Sequence, residues 1–389
     1  MQLPFDGDRV RGDNAAREQF YDARGYGTPR DGGVELAPVE AAHLLFRGDL
    51  EHLLDRRSGG EPLDFESFLA SNAVSEVDFF VYKELRDRGF YLSPTELLAG
   101  DDADRREHHG DADRREHRGD DADRREHEAN GAGDFVVYPR GDGPWDDTVA
   151  YRVWTVSERA DVTAGTLRRI AACGSEVDGA SGADGDGITG VLAVVDEESE
   201  VTYLAVEEPT IAGSTYHDLP AVAGALLSDR VLVTDPPAAL HDRAFYGQPL
   251  DRDEQPVQLS LVEAAYLAER GLLAVDGGGE RLVSRGRSVE GDRFDRRLRA
   301  YGALRTAGIV PKTGFKFGAD FRTYADVDSV DDLGHSELLV RVLPADHTFA
   351  PRDLALDVRL AHGVRKQLVF ALTRVDAGID WLTVSRLTP

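Results

Sequence analysis

The residues best suited to chemistry lie in the last quarter of the chain. The run Lys312-Thr-Gly-Phe-Lys-Phe-Gly-Ala-Asp-Phe-Arg-Thr-Tyr324 is glycine-rich and ends on a phenol. His335 follows 11 residues later, in Gly334-His-Ser-Glu-Leu, and Lys366 a further 31 on, in Val364-Arg-Lys. A phenol and an imidazole can move protons, and an ammonium can stabilise a developing anion. The glycine-rich run is not a nucleotide loop, because it has neither the Walker spacing nor Gly-x-Gly-x-x-Gly. Taken singly, each residue also has an ordinary structural reading: a packed tyrosine, a histidine ahead of a strand, and a lysine capping a helix end. A second group of candidates lies in a tract that repeats Asp-Ala-Asp-Arg-Arg-Glu-His at 102–108, 111–117 and 121–127. Its His108, His109, His117 and His127 stand near aspartates, but the tract is uniformly charged and has no apolar face. A solvated loop is therefore expected there, not a metal site. The single cysteine, Cys173, excludes an intrachain disulfide framework and a cysteine-rich zinc site.

The elements that must position these residues occur twice. Asp8-Arg9-Val10 recurs as Asp229-Arg230-Val231, and Tyr26-Gly27 as Tyr246-Gly247. Val34-Glu-Leu-Ala-Pro-Val-Glu-Ala-Ala-His-Leu44 is answered by Val257-Gln-Leu-Ser-Leu-Val-Glu-Ala-Ala-Tyr-Leu267, and Tyr82 to Gly89 by Tyr301 to Gly308. The offset stays between 219 and 223, which identifies a tandem duplication. The charged tract interrupts the first copy, and register resumes at Asp134-Phe-Val-Val-Tyr138, opposite Asp320-Phe-Arg-Thr-Tyr324. Apolar periodicity and glycine stops predict helices over Pro38 to Phe46, Leu261 to Arg270, Phe79 to Arg88, Phe294 to Thr306 and Leu354 to Lys366. Strands are expected over Phe135 to Tyr138, Val149 to Val156, Phe321 to Tyr324 and Leu338 to Leu343. Each copy closes on a hairpin-like pair, Val191 to Val195 with Val201 to Val206 and Leu368 to Thr373 with Trp381 to Val384. The expected fold class is mixed α/β, each copy being a small helix-rich α/β half followed by a mixed α/β half. The boundaries this implies are 1–96, the insert 97–133, 134–210, 211–299 and 300–389.

Composition narrows the setting. Of 389 residues, 41% are hydrophobic, enough for packed cores. No segment has the roughly 18 consecutive apolar residues a membrane span needs, and the N-terminus lacks the features of a signal peptide. A cytoplasmic protein is expected. The formal net charge of −27 comes with only four lysines, Lys83, Lys312, Lys316 and Lys366. An acidic, lysine-poor surface suits a protein working in molar salt, where the Debye length falls to about 3 Å and self-repulsion is screened. Acidity normally argues against nucleic-acid binding, but here it is read as environmental. Three of the four lysines fall between positions 312 and 366.

Together, the Lys-Thr-Gly-Phe-Lys-Phe-Gly run closing on Phe-Arg-Thr-Tyr324, the His335-Ser336 pair and Val364-Arg365-Lys366 resemble the archaeal tRNA-splicing endonuclease family, of the two-repeat type from salt-loving archaea. The resemblance covers nearly the whole chain apart from the insert. It implies excision of introns from pre-tRNA by cutting both splice sites of a bulge-helix-bulge, the activity of a tRNA-intron lyase. The 2′-OH attacks its own 3′-phosphate, leaving a 2′,3′-cyclic phosphate and a 5′-OH. Tyr324 would be the general base, His335 the general acid, and Lys366 the group that stabilises the phosphorane. An ordinary phenol holds its proton at neutral pH, and a neighbouring ammonium would favour the phenolate. None of these steps calls for a metal or another cofactor. The family also implies that Arg359 and Trp381 sandwich a bulged base, a contact worth roughly 1–3 kcal/mol per base; Trp381 could equally be a core residue.

The first copy keeps Tyr138 but has no histidine at the required distance, where Tyr151 and Arg152 stand, and Ile188-Thr-Gly190 replaces the lysine. It is expected to be inactive. Its acidic turn, Asp196-Glu197-Glu198-Ser199-Glu200, occupies the place of a loop that docks on a neighbouring subunit in the family. A homodimer with two active sites is therefore implied, with pre-tRNA as partner and neither DNA nor membrane. Rival readings are a non-catalytic RNA-binding subunit, a metal-dependent nuclease, and a scaffold acting through the charged repeats.

Overall fold

A computed structural model describes residues 1–97, 133–173, 187–251 and 254–389. The charged repeats, with His108, His109, His117 and His127, lie outside the described residues.

Each copy begins with a small sheet. In the first, strands run in the order Thr28–Arg30, Gly33–Leu36, Val10–Gly12, Gln2–Phe5, His52–Asp55 and Glu61–Leu63. In the second the order is Gln248–Asp251, Glu254–Ser260, Arg230–Val233, Val222–Leu226 and Leu273–Val275. Helical residues outnumber strand residues in these halves, as expected, and the sheets are what the sequence leaves unmarked. Their strands are short and carry Pro, Gly and charged residues, so they give almost no alternating pattern to read. The duplication itself is plain in the backbone. Tyr26-Gly27 and Tyr246-Gly247 each turn the chain into the sheet with the glycine at φ 76° and 63°. A Cβ on either glycine would sit 2.5 Å from the Glu35 carbonyl or 2.6 Å from that of Gln258, so no other residue fits.

The helices that cover these sheets fall near the expected places: α1 (Pro38–Phe46), α2 (Glu76–Asp87) and, after α3 (Ala164–Ala172), α4 (Leu261–Glu269) and α5 (Arg293–Thr306). Each of α1 and α4 carries a buried glutamate on its first turn. Glu40 accepts the Gly27 and Ala37 N–H groups at 2.7 and 2.9 Å; Glu263 accepts those of Gly247 and Ser260, both at 3.0 Å. Their charge states diverge. Burial pushes the Glu40 carboxyl up to about 7. Burial would raise Glu263 as well, but the Lys312 ammonium 3.1 Å away and the N–H donors hold it at about 2.

The second halves of the two copies form one sheet. Its strands are β1 (Leu92–Pro94), β2 (Phe135–Val137), β3 (Tyr151–Ser157), β4 (Thr189–Val195) and β5 (Val201–Glu207) from the first copy. The second copy adds β6 (Val310–Thr313), β7 (Phe321–Tyr324), β8 (Leu338–Pro344), β9 (Gln367–Thr373) and β10 (Ile379–Leu387). The order β6-β7-β8-β9-β10-β5-β4-β3-β2-β1 runs through both copies, joined where β5 pairs antiparallel with β10 from Tyr203–Leu387 to Glu207–Thr383. The parallel pairs, β3 with β4 and β8 with β9, are bridged by helices, α3 and α6 (Pro351–Gly363) respectively. The outermost strands, β1 and β6, carry Pro94 and Pro311, residues tolerated at a sheet edge. On one face Leu167 and Ile170 of α3 and Leu354 and Val358 of α6 pack on Leu192, Leu204, Phe370 and Leu382. On the other, Val340, Val369 and Ala371 join the core beneath α4 and α5.

Helix α6 stops three residues before the expected end. The Lys366 N–H returns to the Ala361 carbonyl at 3.0 Å, and Arg365 adopts a left-handed φ of 56°. Lys366 therefore stands past the helix, on the approach to β9: its backbone N–H closes the helix end, while its side chain is directed to Ser336.

Candidate active site

Three separate segments deliver Tyr324, His335 and Lys366 to one end of the sheet. Tyr324 is the last residue of β7. The Glu337 N–H donates to the Thr323 carbonyl at 3.1 Å, which ties the residues after His335 to those beside Tyr324. The Gln367 N–H donates to the Glu337 carbonyl at 3.0 Å, which ties the residue after Lys366 to the same strand. Central β8, flanked by antiparallel β7 and parallel β9, thus gathers residues 42 positions apart in sequence.

The side chains have distinct surroundings. The Tyr324 ring is buried with Phe245, Val310 and Val327, at 5.6 Å from the Phe245 ring, and the Arg322 guanidinium lies 5.7 Å from its centroid. His335 is exposed in the loop before β8. Lys366 is half-buried and its ammonium donates to both the carbonyl and the hydroxyl of Ser336 at 2.5 Å, with the Phe317 ring 5.6 Å away. A buried phenol, an exposed imidazole and a fixed ammonium are groups able to move protons and to stabilise an anion. Among the described residues no group of His, Cys, Asp and Glu has a metal-binding arrangement, and no helix is long and apolar enough to cross a membrane.

The same register locates the first copy's counterparts. There the Ala150 N–H donates to the Val137 carbonyl at 2.9 Å and the Thr189 N–H to that of Ala150 at 3.4 Å. Thr148 therefore stands where the second copy has His335, and Ile188 where it has Lys366. Tyr151 and Arg152, which sequence spacing sets against the histidine, lie further on, within β3. Tyr138 is buried and its hydroxyl is 3.0 Å from that of Ser93; burial raises its titration, with the Ser93 bond opposing.

The remaining candidates are dispersed. Arg359 is exposed on α6, whose buried side packs on one face of the sheet. Trp381 is half-buried and packs with Val369 and Ala371 on the opposite face. The pleat thus separates the two within the chain. In the turn between β4 and β5, Asp196 accepts the N–H groups of Glu198 and Glu200, both at 2.9 Å, and so shapes the turn itself. Glu197 pairs with Arg159 at 2.6 Å, while Glu198 and Glu200 are exposed. Sequence reasoning did not single out Ser336, Phe245 or Lys312 as neighbours of the trio. For Ser336 the signal was its place beside His335; Phe245 had none, since only the folded chain brings it to Tyr324.

Comparison with known proteins identifies the family. A family model described as the catalytic C-terminal domain of tRNA intron endonuclease matches residues 294–381, and one described as the N-terminal domain of tRNA intron endonuclease matches residues 1–69 and 222–286. The chain is 56% identical, over all of both chains, to a tRNA-splicing endonuclease of Haloarcula marismortui. It is 52% identical to one of Natronomonas pharaonis, over 96% of this chain and 95% of the relative. It is 34% identical to one of Methanosarcina acetivorans, over 100% and 99% respectively. The halophilic relatives match the setting that the acidic composition implies. Collinear similarity along the full chain, with the N-terminal domain matched once in each copy and the catalytic domain around the gathered trio, shows that the protein belongs to the tRNA intron endonuclease family.

Proposed function

We propose that the protein is an endoribonuclease that excises introns from pre-tRNA, cutting both splice sites of a bulge-helix-bulge. What supports this reading is the convergence of Tyr324, His335 and Lys366 through the hydrogen bonds of Glu337, in a chain whose relatives are named tRNA-splicing endonucleases. As the phenolate, Tyr324 takes the proton of the 2′-OH and becomes the neutral phenol, while the 2′-oxygen attacks the adjacent phosphorus and the bond to the 5′-oxygen breaks. His335 gives its proton to the departing 5′-oxygen, so the products are a 2′,3′-cyclic phosphate and a 5′-OH. Lys366, fixed by Ser336, faces the non-bridging oxygens, whose negative charge grows in the transition state. RNA supplies the nucleophile, and the protein moves two protons.

Two cuts in one substrate suit a homodimer with one such site per chain. The exposed Glu198 and Glu200 of the acidic turn are the docking groups in this reading, held out by Asp196 alongside Glu197. Unpaired bulge bases are what side chains can stack on in RNA, since the A-form major groove is too narrow. Arg359 is exposed, and among the described residues nothing covers its side chain. Trp381 would contribute from the other face, and its packing with Val369 and Ala371 equally suits a core role.

The test is incubation with an intron-containing pre-tRNA in molar KCl with EDTA. Release of the intron with cyclic-phosphate ends is expected. Binding without cleavage would make the chain a non-catalytic subunit, and cleavage only after magnesium is restored would overturn the proton-transfer scheme.

A further inference from the structure

Two of the differences between the copies, neither of them within the trio, converge on Tyr324. The first is residue 245. The turn that leads into Tyr246 has the same backbone in each copy: the Phe245 N–H donates to the His241 carbonyl at 3.0 Å, as the Gly25 N–H does to that of Tyr21 at 2.7 Å. Both residues are left-handed, Gly25 at φ 64° and Phe245 at φ 52°. In the first copy the position is glycine, which adopts that conformation without penalty. In the second it is a phenylalanine, for which the same conformation is strained. The strain coincides with a contact: the Phe245 ring is buried against that of Tyr324.

The second position is residue 312. Strand register places Val310 opposite Tyr324, and the Tyr138 N–H donates to the Tyr91 carbonyl, so Lys312 corresponds to Ser93. The half-buried Lys312 ammonium donates to the Gly247 carbonyl at 2.8 Å, the Phe245 carbonyl at 3.3 Å and Glu263 at 3.1 Å. It also lies 4.6 Å from the Phe245 ring centroid. Arg305 completes the hold, donating to the Ala244 carbonyl at 2.8 Å and stacking 3.8 Å from the Tyr246 ring. The two cations thus grip the carbonyls of Ala244, Phe245 and Gly247 around the strained turn. In the first copy Arg86 answers Arg305 and stacks on Tyr26 at 3.9 Å, but at the lysine's position Ser93 meets Tyr138, and among the described residues no ammonium reaches Glu40.

We propose that Phe245 and Lys312 are positioning residues for Tyr324: Lys312, anchored on Glu263, holds the strained turn so that the Phe245 ring braces the tyrosine in the orientation needed to accept the 2′-OH proton. This rests on the reading of Tyr324 as that acceptor. The N-terminal domain of the second copy thereby becomes part of the active centre, and the first copy lacks both parts of the brace.

Single-turnover cleavage of pre-tRNA at saturating enzyme in molar KCl separates this role from mere stability, with the folded fraction checked by circular dichroism. Phe245→Gly, which installs the first copy's residue, should slow the saturated rate by about 10- to 100-fold, since small misplacements of a reacting group cost that much. The enzyme concentration at half-saturation should stay within about twofold, because no RNA contact is lost. Lys312→Met should do the same. The double variant Lys312→Met/Glu263→Gln removes both charges of the buried pair, which should restore much of the melting temperature lost in Lys312→Met while the rate stays low. Recovery of rate together with melting temperature would reduce the pair to a structural one and overturn the proposal, as would Phe245→Gly cutting at the wild-type rate. Tyr324→Phe, run in parallel, tells the two levels apart. If it abolishes cleavage while Phe245→Gly does not, only the brace falls; if it cuts at full rate, the tyrosine's role falls and the brace with it.

Discussion

Tyr324, His335 and Lys366 carry different kinds of risk when altered. His335 is exposed and its side chain supports no core packing. His335→Ala is therefore expected to leave the melting temperature and pre-tRNA binding unchanged while cleavage falls by about 10²- to 10⁴-fold, the usual worth of a general acid. Gel-shift and cleavage assays on one preparation check this, and equal losses in both would contradict it. Tyr324 is buried, so Tyr324→Phe, which keeps the ring, is the informative change there. Glu40 offers a separate prediction. Its folded carboxyl titrates near 7, above the ordinary value of 4.5. The folded state then binds more protons than the unfolded one between those values, so stability is lost as pH rises from about 4.5 to about 7 and stays low above. Glu40→Gln should raise the melting temperature at pH 8, by up to about 3 kcal/mol in stability, and change it little at pH 4. Glu263 has the opposite sign: its depressed carboxyl contributes stability above about 4.5 that is lost as pH falls towards 2. Glu263→Gln should accordingly destabilise at pH 8. Melts across pH decide both.

At the scale of elements, the long periodic segments were legible and the short ones were not. α1, α4 and α5 follow from apolar spacing and glycine stops, and β7 to β10 from runs such as Leu338-Leu-Val-Arg-Val. The strands of the first small sheet escape such a reading because three or four residues, most with a proline or a glycine, cannot show a period. The trio was readable because its residue types and flanking motifs are local. Its support was not: the packing of Phe245 on Tyr324 and the pairing of Lys312 with Glu263 depend on long-range closure that no window of sequence displays. The end of α6 shows the same limit, since the reversal at Arg365 that aims Lys366 at Ser336 comes without the usual glycine. Arg365→Gly should therefore be tolerated, with stability unchanged or raised by up to about 1 kcal/mol, whereas Arg365→Val should reduce both stability and cleavage. Chemical denaturation and cleavage rates measure the pair.

At the scale of the whole molecule, the acidic surface and the insert can be tested apart from the site. A net charge of −27 is tolerable when salt screens it, so dilution from molar to about 0.1 M KCl should lower the melting temperature cooperatively and reversibly. Removal of residues 101–130 should leave cleavage in molar salt within a few-fold of the full chain, and a large loss would show that the repeats take part.

The β5–β10 pairing has one more consequence. Each strand closes what would otherwise be an open edge of half a sheet, a row of unpaired backbone groups inviting association with whatever strand arrives. Cutting the chain in the linker between the copies would not remove that demand for a partner. Separately expressed halves should be poorly soluble alone and should assemble into a heteromer when made together, so that the covalent link sets the stoichiometry of the halves while the strands set how they join.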